Sequence, residues 1–306
     1  MAEDEFFLDP TIGRPADKVG YFTDQASFHR FAAAYHAGMA ELPKPDAMAA
    51  VPTSFGQVRA YRFGPSGGTP VVLLSGRQAS TPMWATNLPS LRARHTVWSV
   101  DSVGEPGASG QTRELIDGLD QATWVSETIA GLGVPRAHLL GVSIGANLAV
   151  QTAMHRLGCV ASITLLDPAN TFARLSWKMI MVSLGSAIPA MPKSLRNRLL
   201  SWISGGAPVD DTVPEGRLIA SGMKDYRDAQ PLLARPTEDE LRALAVPVLA
   251  VFAGRSIVHD ATEAAATARL IPGAQVEVWP NASHAINGEY PDRIAERFTE
   301  FTAGIG

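Results

Sequence analysis

The chain carries a single cysteine, Cys159, among its 306 residues. That scarcity excludes an internal disulfide and any zinc site built on paired cysteines. No activating pattern surrounds Cys159, so it reads as a small core residue at the end of a helix. Charge is also scarce: only 18% of residues are Asp, Glu, Lys or Arg, the formal net charge is −4, and no Lys/Arg run occurs. A nucleic-acid partner or an anionic membrane surface is therefore not expected. No apolar run approaches the roughly 20 residues that span a bilayer. The opening MAEDEFFLDP is acidic and lacks the basic and apolar regions of a secretory signal. A reducing, cytoplasmic setting is the expectation. Repeats and low-complexity segments are missing as well. What remains is a chain that is 46% hydrophobic, with its 27 glycines and 22 prolines spread along its length, the composition of a compact fold with a substantial core.

Short Val, Leu and Ile runs recur between longer helical patterns: PVVLLSG (70–76), HTVWSVD (95–101), AHLLGVS (137–143), ASITLLD (161–167), VPVLAVFAG (246–254) and AQVEVWP (274–280). Continuous apolar runs of this length fit strands covered on both faces, and helices between them imply parallel order. The expected fold is α/β, a doubly wound, mostly parallel sheet with helices on both faces. Helices are predicted over 24–42, 119–132 and 144–158, and SFGQVRAYRFG (54–64) alternates like an antiparallel edge hairpin. The rhythm breaks at 170–236, where three helical patterns separated by Pro and Gly contain no convincing strand. The division that follows is an N-terminal extension (1–53), a core (54–169 and 237–306) and a helical cap (170–236) over the C-terminal edge of the sheet, where ligands bind in such folds. Trp177, Met179, Met181, Trp202 and Met223 of that segment are candidates to line a pocket, or ordinary helix-packing residues.

Gly141-Val142-Ser143-Ile144-Gly145 lies between an apolar strand and an Ala-rich helix. A serine in so sharp a strand-to-helix turn projects its hydroxyl above the sheet, and the flanking glycines permit close backbone approach. The turn also brings the next backbone N–H and the positive end of the helix beside any oxyanion that forms. The loop LLSGRQAS after the first parallel strand can aim a second N–H at the same point, so the N–H groups of Arg77 and Ile144 are the candidate oxyanion hole. His284, after the last strand in NASHAI, can reach the serine and shuttle its proton. Asp260, just before ATEAAATARLI, has the place of a helix N-cap.

The strand order, the GVSIG turn, the VDSVGEPGASG segment, the helical insertion and the ending NASHAINGEYPDRIAERFTEF resemble the α/β-hydrolase fold superfamily over about 54–304. They are similar in particular to its small capped members: esterases, C–C hydrolases and cofactor-free haloperoxidase-like enzymes. The resemblance implies Ser143 as nucleophile, His284 as base, and an acid a few residues after VPVLAVFAG. Ser256 stands there instead. A minority of the superfamily carries the acid after the preceding strand, which here implies Asp167; Asp260 is the alternative. Asp101 and Glu105 resemble a structural turn of the family. The implied activity is a serine hydrolase that cleaves an ester, thioester or lactone of a small, mainly apolar molecule and needs neither cofactor nor metal. The rivals are C–C hydrolysis, acyl transfer or cyclisation with the same three side chains, and a ligand receptor that uses the capped pocket for binding. Oligomeric state is left open.

Overall fold

In the computed structural model the described residues are 6–179, 181, 214–231 and 233–305. Their strands, in chain order, are β1 (Tyr21–Phe22), β2 (Ala47–Thr53), β3 (Gly56–Phe63), β4 (Val71–Leu74), β5 (Val97–Val100), β6 (Gly110–Gln111), β7 (Ala137–Val142), β8 (Val160–Leu166), β9 (Tyr226–Arg227), β10 (Val248–Ala253) and β11 (Gln275–Trp279). The helices are α1 (Gln25–Ala40), α2 (Leu88–Arg92), α3 (Gly118–Gly131), α4 (Ile144–His155), α5 (Pro214–Asp225), α6 (Glu238–Ala243), α7 (Ala261–Ala268), α8 (Ile286–Glu289) and α9 (Pro291–Thr302).

The main sheet runs β11-β10-β8-β7-β4-β5-β3-β2, with β6 beside β3. From β5 to β11 every pairing along that order is parallel, while β2, β3 and β5 pair antiparallel. The apolar runs explain the placement. Every residue of β4, β7, β8 and β10 is buried, because helices cover both faces of the sheet. Val72, Leu139, Ile163 and Ala250 point toward Trp124 of α3, Ala149 of α4 and Ala264 of α7. Leu73, Leu140 and Val251 point toward Tyr35 of α1, Leu88 of α2 and Phe298 of α9. Each inward Val or Leu removes apolar area from water at about 25 cal/mol per Å², the main force holding helix layers to the sheet.

Two local features depart from expectation. The hairpin of residues 54–64 is not itself the edge: β3 lies between β2 and β5, and β2 is the outer strand, alternating in exposure. The described part of 170–236 contains a strand, because Tyr226–Arg227 pairs antiparallel with Tyr21–Phe22. A two-residue strand has too few positions to show a period, and its partner lies some two hundred residues away, so a window along the chain misses it. The same contact anchors α1. Asp24 caps that helix in a reciprocal arrangement with Ser27. Arg30 then donates through Nε (3.1 Å) and Nη2 (2.5 Å) to the buried Asp225 Oδ1 at the end of α5. Among the described residues no helix is long and apolar enough to cross a membrane.

Candidate active site

β7 ends at Val142, and the chain turns into α4 through Ser143, whose φ of 57° and ψ of −118° are strained for a residue with a side chain. The flanking glycines make the turn sterically possible. A Cβ on Gly145 would lie 2.2 Å from the Leu74 carbonyl oxygen, and one on Gly141 would lie 2.3 Å from the carbonyl oxygen of Gly145. The turn is held by the Ser143 N–H, which donates to Leu166 O at 2.9 Å, and by the Ser143 carbonyl, which accepts from Ala169 N at 3.2 Å. The half-buried hydroxyl is thereby lifted above the C-terminal edge of the sheet.

His284 lies in the loop after β11. Ser283, immediately before it, donates to Glu289 through its backbone N–H (2.8 Å) and hydroxyl (2.7 Å). Arg255 N donates to Ala282 O at 2.9 Å, which ties this loop to the one after β10. So held, the His284 ring has Nε2 2.9 Å from Ser143 Oγ and Nδ1 2.6 Å from Asp167 Oδ2. With Nδ1–H donating to the carboxylate, Nε2 is the nitrogen free to accept the serine proton.

Asp167 directly follows β8, fully buried, with φ +43°. Its Oδ1 accepts from Ala253 N at 3.0 Å, and its Oδ2 accepts from Ser256 Oγ at 2.7 Å as well as from His284. His259 Nε2 lies 3.2 Å from Oδ1, too far off line to form a hydrogen bond. Burial alone would raise the proton affinity of this carboxyl, but the two imidazoles beside it hold it well below the usual carboxylate range. Asp260 does something else. It is exposed and accepts from the N–H groups of Thr262 and Glu263 at 2.9 Å each, capping α7.

A small cavity of about 30 Å³ adjoins the turn, lined among others by Ser75, Arg77, Glu105, Ile144, Gly145 and Gln230. Arg77 and Ile144 both line this space. The Arg77 side chain turns away to Asp228 Oδ1 at 2.6 Å and is half exposed. Trp177 is 70% and Met181 60% exposed, and the apolar walls of the cavity are Leu148, Pro231 and Leu233 instead. Ser176 N donates to Val258 O at 2.8 Å and ties the loop to the core there. Trp202 lies outside the described residues. A much larger open depression of about 510 Å³, lined by Pro43, Asp46, Pro65 and Arg92 among others, lies at the N-terminal ends of β4 and β5. It has no nucleophile with a base, so size does not locate the site.

Residues 71–297 match the model of the alpha/beta hydrolase family. The chain belongs to that family. It is 25% identical over 285 residues to the carboxylesterase YbfK of Bacillus subtilis, covering 90% of this chain and 94% of that protein. It is also 25% identical over 256 residues to the uncharacterized carboxylesterase nap of the same organism, covering 82% and 85%. Among solved structures, naproxen esterase from Bacillus subtilis superimposes with a TM-score of 0.82 at 24% identity, covering 89% of this chain and 97% of that one. At that identity the likeness is one of fold.

Within this alpha/beta hydrolase, three further side chains hold the surroundings of the site. Ser256 stands where an acid is expected and instead donates to Asp167. Glu289 fixes the histidine loop through Ser283, a local i, i+6 link with no motif to mark it. Glu105 is buried beside Arg77 and accepts from Gln78 N at 2.9 Å. Burial pushes it up to about 7, more than the Arg77 charge and the Gln78 N–H pull it down. Asp101, in the same segment, is a structural tie: its carboxylate accepts from Thr81 N, Thr81 Oγ1, Ala108 N and Tyr35 OH at 2.7–2.8 Å.

Proposed function

We propose that this alpha/beta hydrolase is a serine carboxylesterase acting on an ester, thioester or lactone of a small, mainly apolar molecule. The observation that carries the reading is the continuous line Asp167 Oδ2, His284, Ser143 Oγ, with contacts of 2.6 and 2.9 Å, above the strand ends of a hydrolase fold. The carboxylesterase relatives support the bond type.

In this reading His284 Nε2 takes the Ser143 proton as Oγ attacks the carbonyl carbon. The oxyanion is held by the N–H groups of Ile144 and Arg77, with the positive end of α4 beneath it. Asp167 stays ionised, holds the ring in the tautomer with Nδ1–H, and stabilises the imidazolium. His284 then hands the proton to the leaving alkoxide, and an acyl group remains on Ser143. Water, deprotonated by the same nitrogen, attacks the acyl carbon and frees the acid. The segment 170–236 is the cap in this scheme, its Gln230, Pro231 and Leu233 forming one wall of the cavity beside Ile144.

Steady-state and stopped-flow assays on p-nitrophenyl esters of increasing acyl length, with fluorophosphonate labelling, test this. Wild type is expected to show an acyl burst and labelling at Ser143, and Ser143→Ala neither. A wild type that gives no burst, no label and no turnover overturns the reading. Stable acylation without release would move it to acyl transfer.

A further inference from the structure

The loop after β10 places two polar side chains against Asp167, and the reaction above uses neither. Ser256 Oγ donates to Oδ2 at 2.7 Å. The His259 ring faces Oδ1 at 3.2 Å, and the side chains of His259 and Asp167 are both fully enclosed. The edge of the ring meets Phe252 at 5.9 Å between centroids, with planes 82° apart, so one flank is apolar. Neither ring nitrogen forms a hydrogen bond among the described residues. A buried imidazole with neither nitrogen hydrogen-bonded destabilises the fold. Here the polar atom within ion-pair range of it is the carboxylate that His284 also binds.

We infer that His259 is a positioning residue for the acid of the Ser143–His284–Asp167 line: a second imidazole that stands against the Asp167 Oδ1 side and limits how strongly the carboxylate draws on His284. The inference rests on the esterase reading for its catalytic consequence, and on geometry for its existence. The carboxyl has two oxygens and two histidines, one on each. His284 comes from the loop after β11 and reaches Oδ2; His259 comes from the loop after β10 and approaches Oδ1. The remaining contacts on Asp167, Ala253 N and Ser256 Oγ, are neutral. Of the charged neighbours on the same loop, Arg255 is exposed, and Asp260 turns outward to cap α7. Among the described residues, the charged partners that lower Asp167 are these two imidazoles.

Removing the His259 ring takes away one of the two imidazoles that offset the Asp167 charge. Asp167 then binds the imidazolium of His284 more strongly, and His284 must titrate at higher pH. The test compares His259→Phe and His259→Asn with wild type, each first checked for a cooperative melt. His284 is titrated by NMR of its ring carbons, and the acid limb of kcat/KM is measured on the best p-nitrophenyl ester. Expected in His259→Phe are an upward shift of the His284 titration and of the acid limb by roughly half a pH unit or more, and a fall in kcat of about tenfold. The amide of Asn should recover part of both. If His259→Phe does not fold, the Asn variant carries the same test, with an upward shift of smaller size. A folded variant whose His284 titration and acid limb stay at the wild-type positions overturns the proposal and leaves His259 a core residue. The NMR titration needs no turnover, so failure of the esterase reading, seen as an unlabelled wild type, is distinguishable from failure of this one.

Discussion

Asp101 and Asp167 end two strands of the same sheet, β5 and β8, and both are fully buried. Asp101 accepts four hydrogen bonds; Asp167 accepts three, with a further imidazole in ion-pair range. Their proton affinities nevertheless move in opposite directions. Asp101 is raised because desolvation outweighs its four neutral donors, while Asp167 is lowered because two imidazoles stand beside it. Burial and hydrogen-bond number therefore do not make a carboxylate fit to assist a base. A partner that can take up positive charge does. The same contrast extends to Glu105, buried with one backbone donor and pushed up to about 7.

The sharpest way to break the contrast is Asp167→Asn. With the carboxylate replaced by an amide, His284 loses the anion that fixes its tautomer, and kcat is expected to fall by about 10⁴ while the melting temperature changes little. A steady-state assay beside a thermal melt checks both. Comparable losses from Asp260→Asn would reassign the acid.

Glu105→Gln acts next, through stability. The folded state holds the Glu105 proton more tightly than the unfolded chain, so its contribution is fully present below the unfolded value of about 4.5 and is lost as pH rises through about 7. Up to about 3 kcal/mol is at stake across that window. Urea melts between pH 4.5 and 8 should fall in wild type and run flatter in the variant; parallel curves would mean that Glu105 is ionised throughout.

Asp101→Asn should do the reverse of Asp167→Asn. Replacing an acceptor-only carboxylate leaves at least one of the Thr81, Ala108 or Tyr35 donors without an acceptor, for a loss of about 1–3 kcal/mol in chemical denaturation. The folded fraction is expected to keep kcat within a few fold. A large fall in kcat at unchanged stability would erase the distinction between the two aspartates. The smallest effect belongs to Asp260→Asn: asparagine caps a helix about as well as aspartate, so activity and melting temperature should both stay at wild-type values.

The layered α/β architecture was legible because burial on both faces leaves a continuous apolar signature in β4, β7, β8 and β10. Ser143 was legible because a sharp turn needs glycines at fixed offsets, and their clashes with Leu74 O and Gly145 O would be intolerable for any side chain. The β1·β9 pairing and the Arg30–Asp225 tie were not legible, since each joins residues some two hundred positions apart without a local pattern. Aromatic and Met residues at helical spacing, such as Trp177 and Met181, do not say by themselves which way a helix faces.

The segment FAGRSIVHD marks where the two kinds of information divide. From the residues alone came the apolar strand and the capping role of Asp260; the resemblance to the superfamily implied the missing acid and the candidate Asp167. Which aspartate meets His284 was decided by tertiary structure. Parallel pairing of β8 with β10 carries Asp167 to the loop that replaces its own acid with Ser256 and His259. A helix cap needs only the next few N–H groups, so it can be read locally. An acid's influence on a base 117 residues away depends on which donors from other strands converge on its two oxygens.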